Sequence, residues 1–157
     1  MLIGFGGEKK RAMSGSWPES DFPNLQPDNH ELTSGSTIEY NCIAWAAGDT
    51  EKWWWPDQMG VGYWPPSAPR QETRLAFILA YGTLGYVPCN DGGVEAGFEK
   101  IAIYEDASGP THAARQIADG RWTSKLGQFE DIVHVVPECL EGPCYGRAVQ
   151  YLKRPVR

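Results

Sequence analysis

The sequence contains one cysteine in a position that could make it reactive. Cys42 follows Asn41 and opens the segment CIAWAA, whose alanines favour a helix that ends at Gly48. Unpaired backbone N–H groups and the dipole at a helix N-terminus favour an anion, which lowers the pKa of a thiol placed there. Because the thiolate is a nucleophile, this position predicts a reactive cysteine, and a buried cysteine in an apolar helix is the alternative.

His112 is the residue that could act as the base for such a thiol. It starts a predicted strand, and the Asp119-Gly120 pair predicts a hairpin that joins this strand to the next. In that hairpin His112 lies opposite residues 124–127, so Ser124 is available on the adjacent strand and its hydroxyl could orient the imidazole. The expected catalytic residues are therefore Cys42, His112 and Ser124, and a satisfied structural histidine is the other interpretation.

Two positions around this set have more than one interpretation. Asn41 could join the backbone N–H of Cys42 in an oxyanion hole, or it could cap the helix, and the cap is the preferred role. Ser124 is a weak orienting group, so Gln116 or Asp131 could take its place.

Aromatic residues are concentrated in the segment that follows the first predicted helix. Residues 53–69 contain four prolines and cannot form a regular element. Three adjacent tryptophans cannot all face one core, so we expect at least one to be exposed or to line a groove, as in a binding site. The alternative is that they clamp an irregular loop onto the domain, and we expect a mixed outcome. The candidate substrate-binding residues are Trp53, Trp54, Trp55, Tyr63 and Trp64.

The remaining pattern predicts two helices followed by strands. The helices are expected over 42–47 and 70–81, and the strands over 99–104, 112–117, 121–126, 132–136 and 146–152. This order predicts an α+β fold in which the helix that carries Cys42 packs against an antiparallel sheet of about five strands. Residues 1–21 are expected to form a flexible N-terminal arm, and residues 22–157 a single domain.

Composition restricts the possible partners. The chain has 157 residues and a net charge of −6, with no clustered basic face for a nucleic acid, and its longest apolar run, residues 75–81, is far too short to cross a membrane. Four cysteines without a metal-ligand spacing predict neither a metal site nor a cofactor. The first residues do not have the order of a signal peptide, so we expect a cytoplasmic location, with export by another route left open.

Several runs in the chain resemble known families. A helix that starts with cysteine, followed by the strand–turn–strand run HAARQIADGRWTSKLG, resembles the NlpC/P60 branch of the papain-like cysteine hydrolases, with Ser124 where that branch usually carries His, Asn or Gln. The resemblance implies a papain-like fold. From Phe22 to Pro155 the runs YNCIAWAAGD, EKIAIY, THAARQ and GRWTSKLG look like an uncharacterised bacterial family of unknown function.

These observations predict a thiol hydrolase or acyltransferase that acts on an amide bond. Cys42 would be the nucleophile, and His112 would act first as base and then as acid. The resemblance implies a peptide, a peptidoglycan fragment or a protein as substrate. Two alternatives are a catalytically silent binding module that uses a Trp-rich groove and a toxin-like effector domain.

Overall fold

Seven β-strands form most of the fold in the computed structural model, which describes residues 15–157. All strand pairs are antiparallel, and the strands form one sheet in the order β1-β6-β5-β4-β3-β7-β2. The strands are β1 His30–Ser34, β2 Val87–Cys89, β3 Phe98–Asp106, β4 Gly109–Gln116, β5 Trp122–Lys125, β6 Asp131–His134 and β7 Arg147–Pro155. Two α-helices accompany them, α1 Cys42–Ala47 and α2 Arg74–Gly82.

The architecture is mainly β, so the predicted papain-like α+β fold with about five strands is wrong. The sheet has seven strands, and the helices have only six and nine residues. The two strands that the pattern does not predict, β1 and β2, are the two edges of the sheet and leave most of their residues partly or fully exposed. Apolar alternation is expected only where a strand buries one face, so these short edge strands carry little signal.

Capping residues set the limits of both helices. The side-chain oxygen of Asn41 accepts a hydrogen bond from the backbone N–H of Ala44, and Gly48 ends α1 with a φ of 84°. α1 therefore has the predicted limits. α2 starts later than the predicted residue 70, because Thr73 caps it by accepting from the N–H of Ala76.

The sheet separates two apolar cores. The face against which α1 and α2 pack, here called the helix face, includes Ile101, Ile103, Ala113 and Leu152. The opposite face includes Ala102, Tyr104, Ala114 and Trp122, and it is covered by Trp17, Phe22 and Leu140. Successive residues of a strand point to opposite faces, which accounts for the alternation in β3 and β4.

Part of the predicted N-terminal arm lies outside the described residues, which begin at 15. Within the remainder, Trp17 is buried and packs edge-to-face against Phe22, with ring centroids 6.2 Å apart. Neither α-helix of the described part has the length and apolar character needed to cross a membrane.

Candidate functional site

Cys42 is the first residue of α1 and belongs to the core on the helix face. Its side chain is buried, and its Sγ lies 3.9 Å from the backbone oxygen of Thr111. Burial raises the pKa of the thiol to about 12. The loss of solvation thus outweighs the stabilisation of a thiolate by the short helix and by backbone N–H groups. The thiol is protonated at neutral pH.

His112 lies on the opposite face of the sheet from Cys42. The neighbouring residue on β4, Ala113, packs in the same core as Cys42. His112 pairs with Tyr104 of β3 and contacts its ring edge-to-face, with centroids 5.1 Å apart. The imidazole also stacks on the ring of Tyr145, at 4.0 Å between centroids. The structure therefore does not bring the imidazole and the thiol together as a catalytic pair.

His112 does meet Ser124, as the hairpin pattern suggests, and a second histidine joins them. Ser124 Oγ lies 3.0 Å from Nε2 of His112 and 2.8 Å from Nε2 of His134. We call these three residues the histidine network. His134 is adjacent in space because β5 and β6 pair Trp122 with His134, which places the histidine diagonally across from Ser124.

The proton positions in the histidine network follow from the backbone oxygen of Val136, which accepts a hydrogen bond at one end of the network. Nδ1 of His134 lies 2.9 Å from the backbone oxygen of Val136, which can only accept, so Nδ1 carries the proton. Nε2 of the neutral His134 then accepts from the Ser124 hydroxyl, and the Ser124 oxygen accepts from Nε2–H of His112. This leaves Nδ1 of His112 as a buried acceptor without a hydrogen-bond partner.

Burial keeps both histidines uncharged. The side chains of His112, Ser124 and His134 are inaccessible to solvent. Loss of solvation lowers the pKa of His112 well below its usual value, helped by His134, and lowers the pKa of His134 to about 4. A substrate has no path to this network in the described conformation, so its chemistry is that of a neutral internal hydrogen-bond chain.

Asn41 acts as a cap and as an anchor for the aromatic segment. Its Oδ1 accepts from the backbone N–H groups of Ala44 and Trp54, each at 3.1 Å, and its Nδ2 donates to the oxygen of Trp54 at 2.7 Å. Both ends of the amide are therefore bonded to the backbone and the side chain is buried, which fits the cap and not an oxyanion hole. Neither proposed substitute for Ser124 bonds to His112, because Gln116 donates to Gly92 and Asp131 accepts from Tyr40 and Ser34.

The aromatic segment, residues 53–64, divides into anchored and exposed side chains. Trp54 and Trp64 are each only 4% exposed, whereas Trp53 is 42% and Tyr63 is 37% exposed. Trp54 stacks on Tyr81, and Trp64 packs edge-to-face on Phe77. Trp55 is half-buried and also contacts Phe77.

A cleft of about 390 Å³ adjoins the aromatic segment. Its lining includes Trp54, Tyr63 and residues 47–52. Asp49 accepts from Nε1 of Trp54 at 2.9 Å, and the Lys52 ammonium lies 4.8 Å from the centre of the Tyr63 ring. Aromatic faces, carboxylates and an ammonium group therefore meet at one accessible surface.

In residues 15–157, no group of three or more His, Cys, Asp and Glu side chains is placed to hold a metal ion.

A family model described as Domain of unknown function (DUF7689) matches residues 31–153. The matched range runs from β1 into β7, and the match carries no papain-like pattern. No curated protein and no solved structure matches the chain.

Proposed function

The chain belongs to the family described as Domain of unknown function (DUF7689), and we propose that it is a catalytically silent binding module that uses its aromatic segment. One observation carries this proposal. Trp54 and Trp64 hold the segment in the core, while Trp53 and Tyr63 remain exposed. Exposed aromatic side chains on an anchored backbone offer contact area at a small entropic cost.

The chemistry of the surface favours a peptidoglycan-type fragment as the ligand. Sugar rings present apolar C–H faces that pack on aromatic rings such as Tyr63, which lines the cleft, and Trp53, the exposed neighbour of Lys52 in the chain. The carboxylates of Asp49 and Glu51 can accept hydrogen bonds from sugar hydroxyls, and Lys52 can pair with the carboxylate of an attached peptide.

Hydrolysis by Cys42 and His112 is the weaker proposal. It requires a thiolate within hydrogen-bond reach of an imidazole. Here the thiol is protonated, and the two side chains belong to opposite faces of the sheet. A binding module needs neither feature.

Tryptophan fluorescence tests the proposed function directly. Muramyl dipeptide, which combines an N-acetylated sugar with an acidic peptide, should shift or quench the emission as it binds. Trp53→Ala should weaken this binding about tenfold, the equivalent of about 1.4 kcal/mol, and should leave the melting temperature nearly unchanged. Tyr63→Ala should act in the same direction.

The matched control is Val61→Ala, because Val61 is a highly exposed apolar residue of the same segment. It should change neither binding nor stability. Binding by the Trp53→Ala and Tyr63→Ala variants equal to that of the natural sequence would remove this surface from the proposal. So would the absence of any response to muramyl dipeptide.

A further inference from the structure

A second cleft lies on the helix face, beside the part of the sheet formed by β4, β5, β6 and β1. It has a volume of about 230 Å³, below the roughly 300–1,000 Å³ typical of clefts that hold drug-sized ligands. We call it the Arg115 cleft. Its lining includes Ser34, Trp45, Arg115, Thr123 and Asp131.

Strand pairing explains how these side chains reach one cleft. Arg115 pairs with Thr123, and Thr123 pairs with Val133, so one row of side chains crosses β4, β5 and β6 on the helix face. Asp131 is two residues before Val133 on β6 and therefore projects from the same face. Trp45 reaches the row from α1 and donates from Nε1 to Thr123 Oγ1 at 3.0 Å.

Two polar atoms of residues that line the cleft are buried and have no partner in the described structure. They are Nε of Arg115, a donor, and Oδ1 of Asp131, an acceptor. Asp131 is 1% exposed, although its other oxygen, Oδ2, accepts from Ser34 and from the Tyr40 hydroxyl at 2.7 Å. Buried polar atoms are nearly always paired, so this donor and acceptor at one cleft indicate a missing partner.

The aromatic wall of the cleft is held in a fixed orientation. The Trp45 ring stacks on Tyr40, at 5.4 Å between centroids and 22° between planes. Arg115 holds its guanidinium carbon 5.9 Å from the Trp45 ring centre. A flat ligand that packs at the Trp45 side of the cleft would therefore lie next to the guanidinium.

We propose that the Arg115 cleft binds a small aromatic molecule whose planar edge carries a hydrogen-bond donor beside an acceptor, as in a carboxamide. The acceptor receives the N–H of Arg115, and the donor satisfies Oδ1 of Asp131. A nucleobase edge has the same chemistry. A carboxylate lacks the donor and is repelled by Asp131, whereas an amidinium lacks the acceptor and is repelled by Arg115.

Three probes of one shape distinguish these cases: benzamide, benzoate and benzamidine. Ligand-observed NMR should give an affinity for benzamide at least fivefold higher than for either charged probe, and Arg115→Met should abolish that preference. Cytosine and benzyl alcohol then separate the sources of the shared chemistry. Tighter binding of cytosine identifies a nucleobase site, and binding of benzyl alcohol equal to that of benzamide overturns recognition of a paired edge.

Asp131→Asn provides the sharpest test, because it predicts a reversal rather than a loss. The asparagine oxygen would keep the bonds from Ser34 and Tyr40, which places its N–H₂ group where Oδ1 was. The cleft then offers two donors, and benzoate should bind at least fivefold more tightly than benzamide. A merely structural role for Asp131 would not reverse the preference.

The control variant is Arg121→Gln, which removes a partly exposed arginine outside the cleft and should leave all affinities unchanged. The two clefts share no lining residue, so failure of this inference is distinguishable from failure of the proposed function. The inference is overturned if none of the probes binds, if benzamidine binds most tightly, or if Asp131→Asn folds and keeps the original order of affinities.

Discussion

At the scale of single residues, burial determines what each cysteine can do. Cys42 and Cys139 are buried, Cys89 is half-buried and Cys144 is exposed. Loss of solvation also raises the pKa of the Cys144 thiol, but this group remains accessible to a reagent. Position at a helix N-terminus is therefore a poor guide to thiol reactivity when the helix is short and the sulfur is enclosed.

Alkylation with iodoacetamide at pH 8 should modify Cys144 first and Cys42 only after unfolding. Attack requires a thiolate that the reagent can reach, and burial keeps the Cys42 thiol both protonated and inaccessible. Mass spectrometry of peptides sampled over time gives the order. His112→Ala should not change the rate at Cys42 as long as the protein stays folded. Modification of Cys42 in the native protein as fast as Cys144 would revive the nucleophile hypothesis.

At the scale of elements, the local pattern predicts more than the packing between elements. Asn41 and Gly48 predict both ends of α1, and Asp119-Gly120 predicts the hairpin between β4 and β5, where Gly120 has a φ of 94°. Those signals are local, because caps and turns depend on neighbouring residues. The sheet edges β1 and β2 carry no comparable signal.

The candidate site was predictable only within the hairpin. His112 and Ser124 meet because turn geometry fixes the register of two adjacent strands. Cys42 does not join them. Alternation along β4 predicts that His112 and Ala113 point to opposite faces of the sheet, but it does not predict which of these faces α1 covers. His134 and the Arg115 cleft depend on the pairing of β5 with β6, which the sequence pattern leaves undetermined.

Asn41→Ala should lower the free energy of unfolding by about 2–4 kcal/mol. The loss combines a helix cap, worth about 1 kcal/mol, with buried backbone groups of Trp54 left unpaired, at about 1–3 kcal/mol. Urea unfolding measures the change. Thr73→Ala, which removes a cap that makes no such second connection, should cost only about 1 kcal/mol. Equal losses for the two variants would contradict the proposed connection between α1 and the aromatic segment.

At the scale of the whole molecule, the neutral histidine network makes stability depend on pH. In the unfolded chain both histidines have pKa values near 6.5, whereas folding lowers the pKa of His112 well below this value and that of His134 to about 4. Below pH 6.5 the unfolded chain therefore binds protons that the folded chain does not. The contribution of the two neutral histidines to the free energy of unfolding is therefore complete above pH 6.5 and decreases as the pH falls.

The free energy of unfolding should fall between pH 6.5 and 5 by up to about 1.4 kcal/mol per pH unit for each histidine. If each variant folds, His134→Gln and His112→Gln should each reduce this slope by the contribution of about one proton, which is up to about 1.4 kcal/mol per pH unit. Urea unfolding at several pH values gives the slopes. Glu31→Gln changes an exposed carboxylate and should leave them unchanged. A slope that neither histidine variant alters would show that the network is protonated in the folded state.

The position of β7 has a consequence for how the protein is made. β7 pairs with β3 on one side and β2 on the other, although both of these strands precede it in the chain. During synthesis on the ribosome, β2 has no neighbouring strand until residues 147–155 have emerged. Strands β3 to β6 can pair in chain order as they emerge, but β2 cannot join the sheet before β7, so completion of the native sheet waits until translation has passed β7.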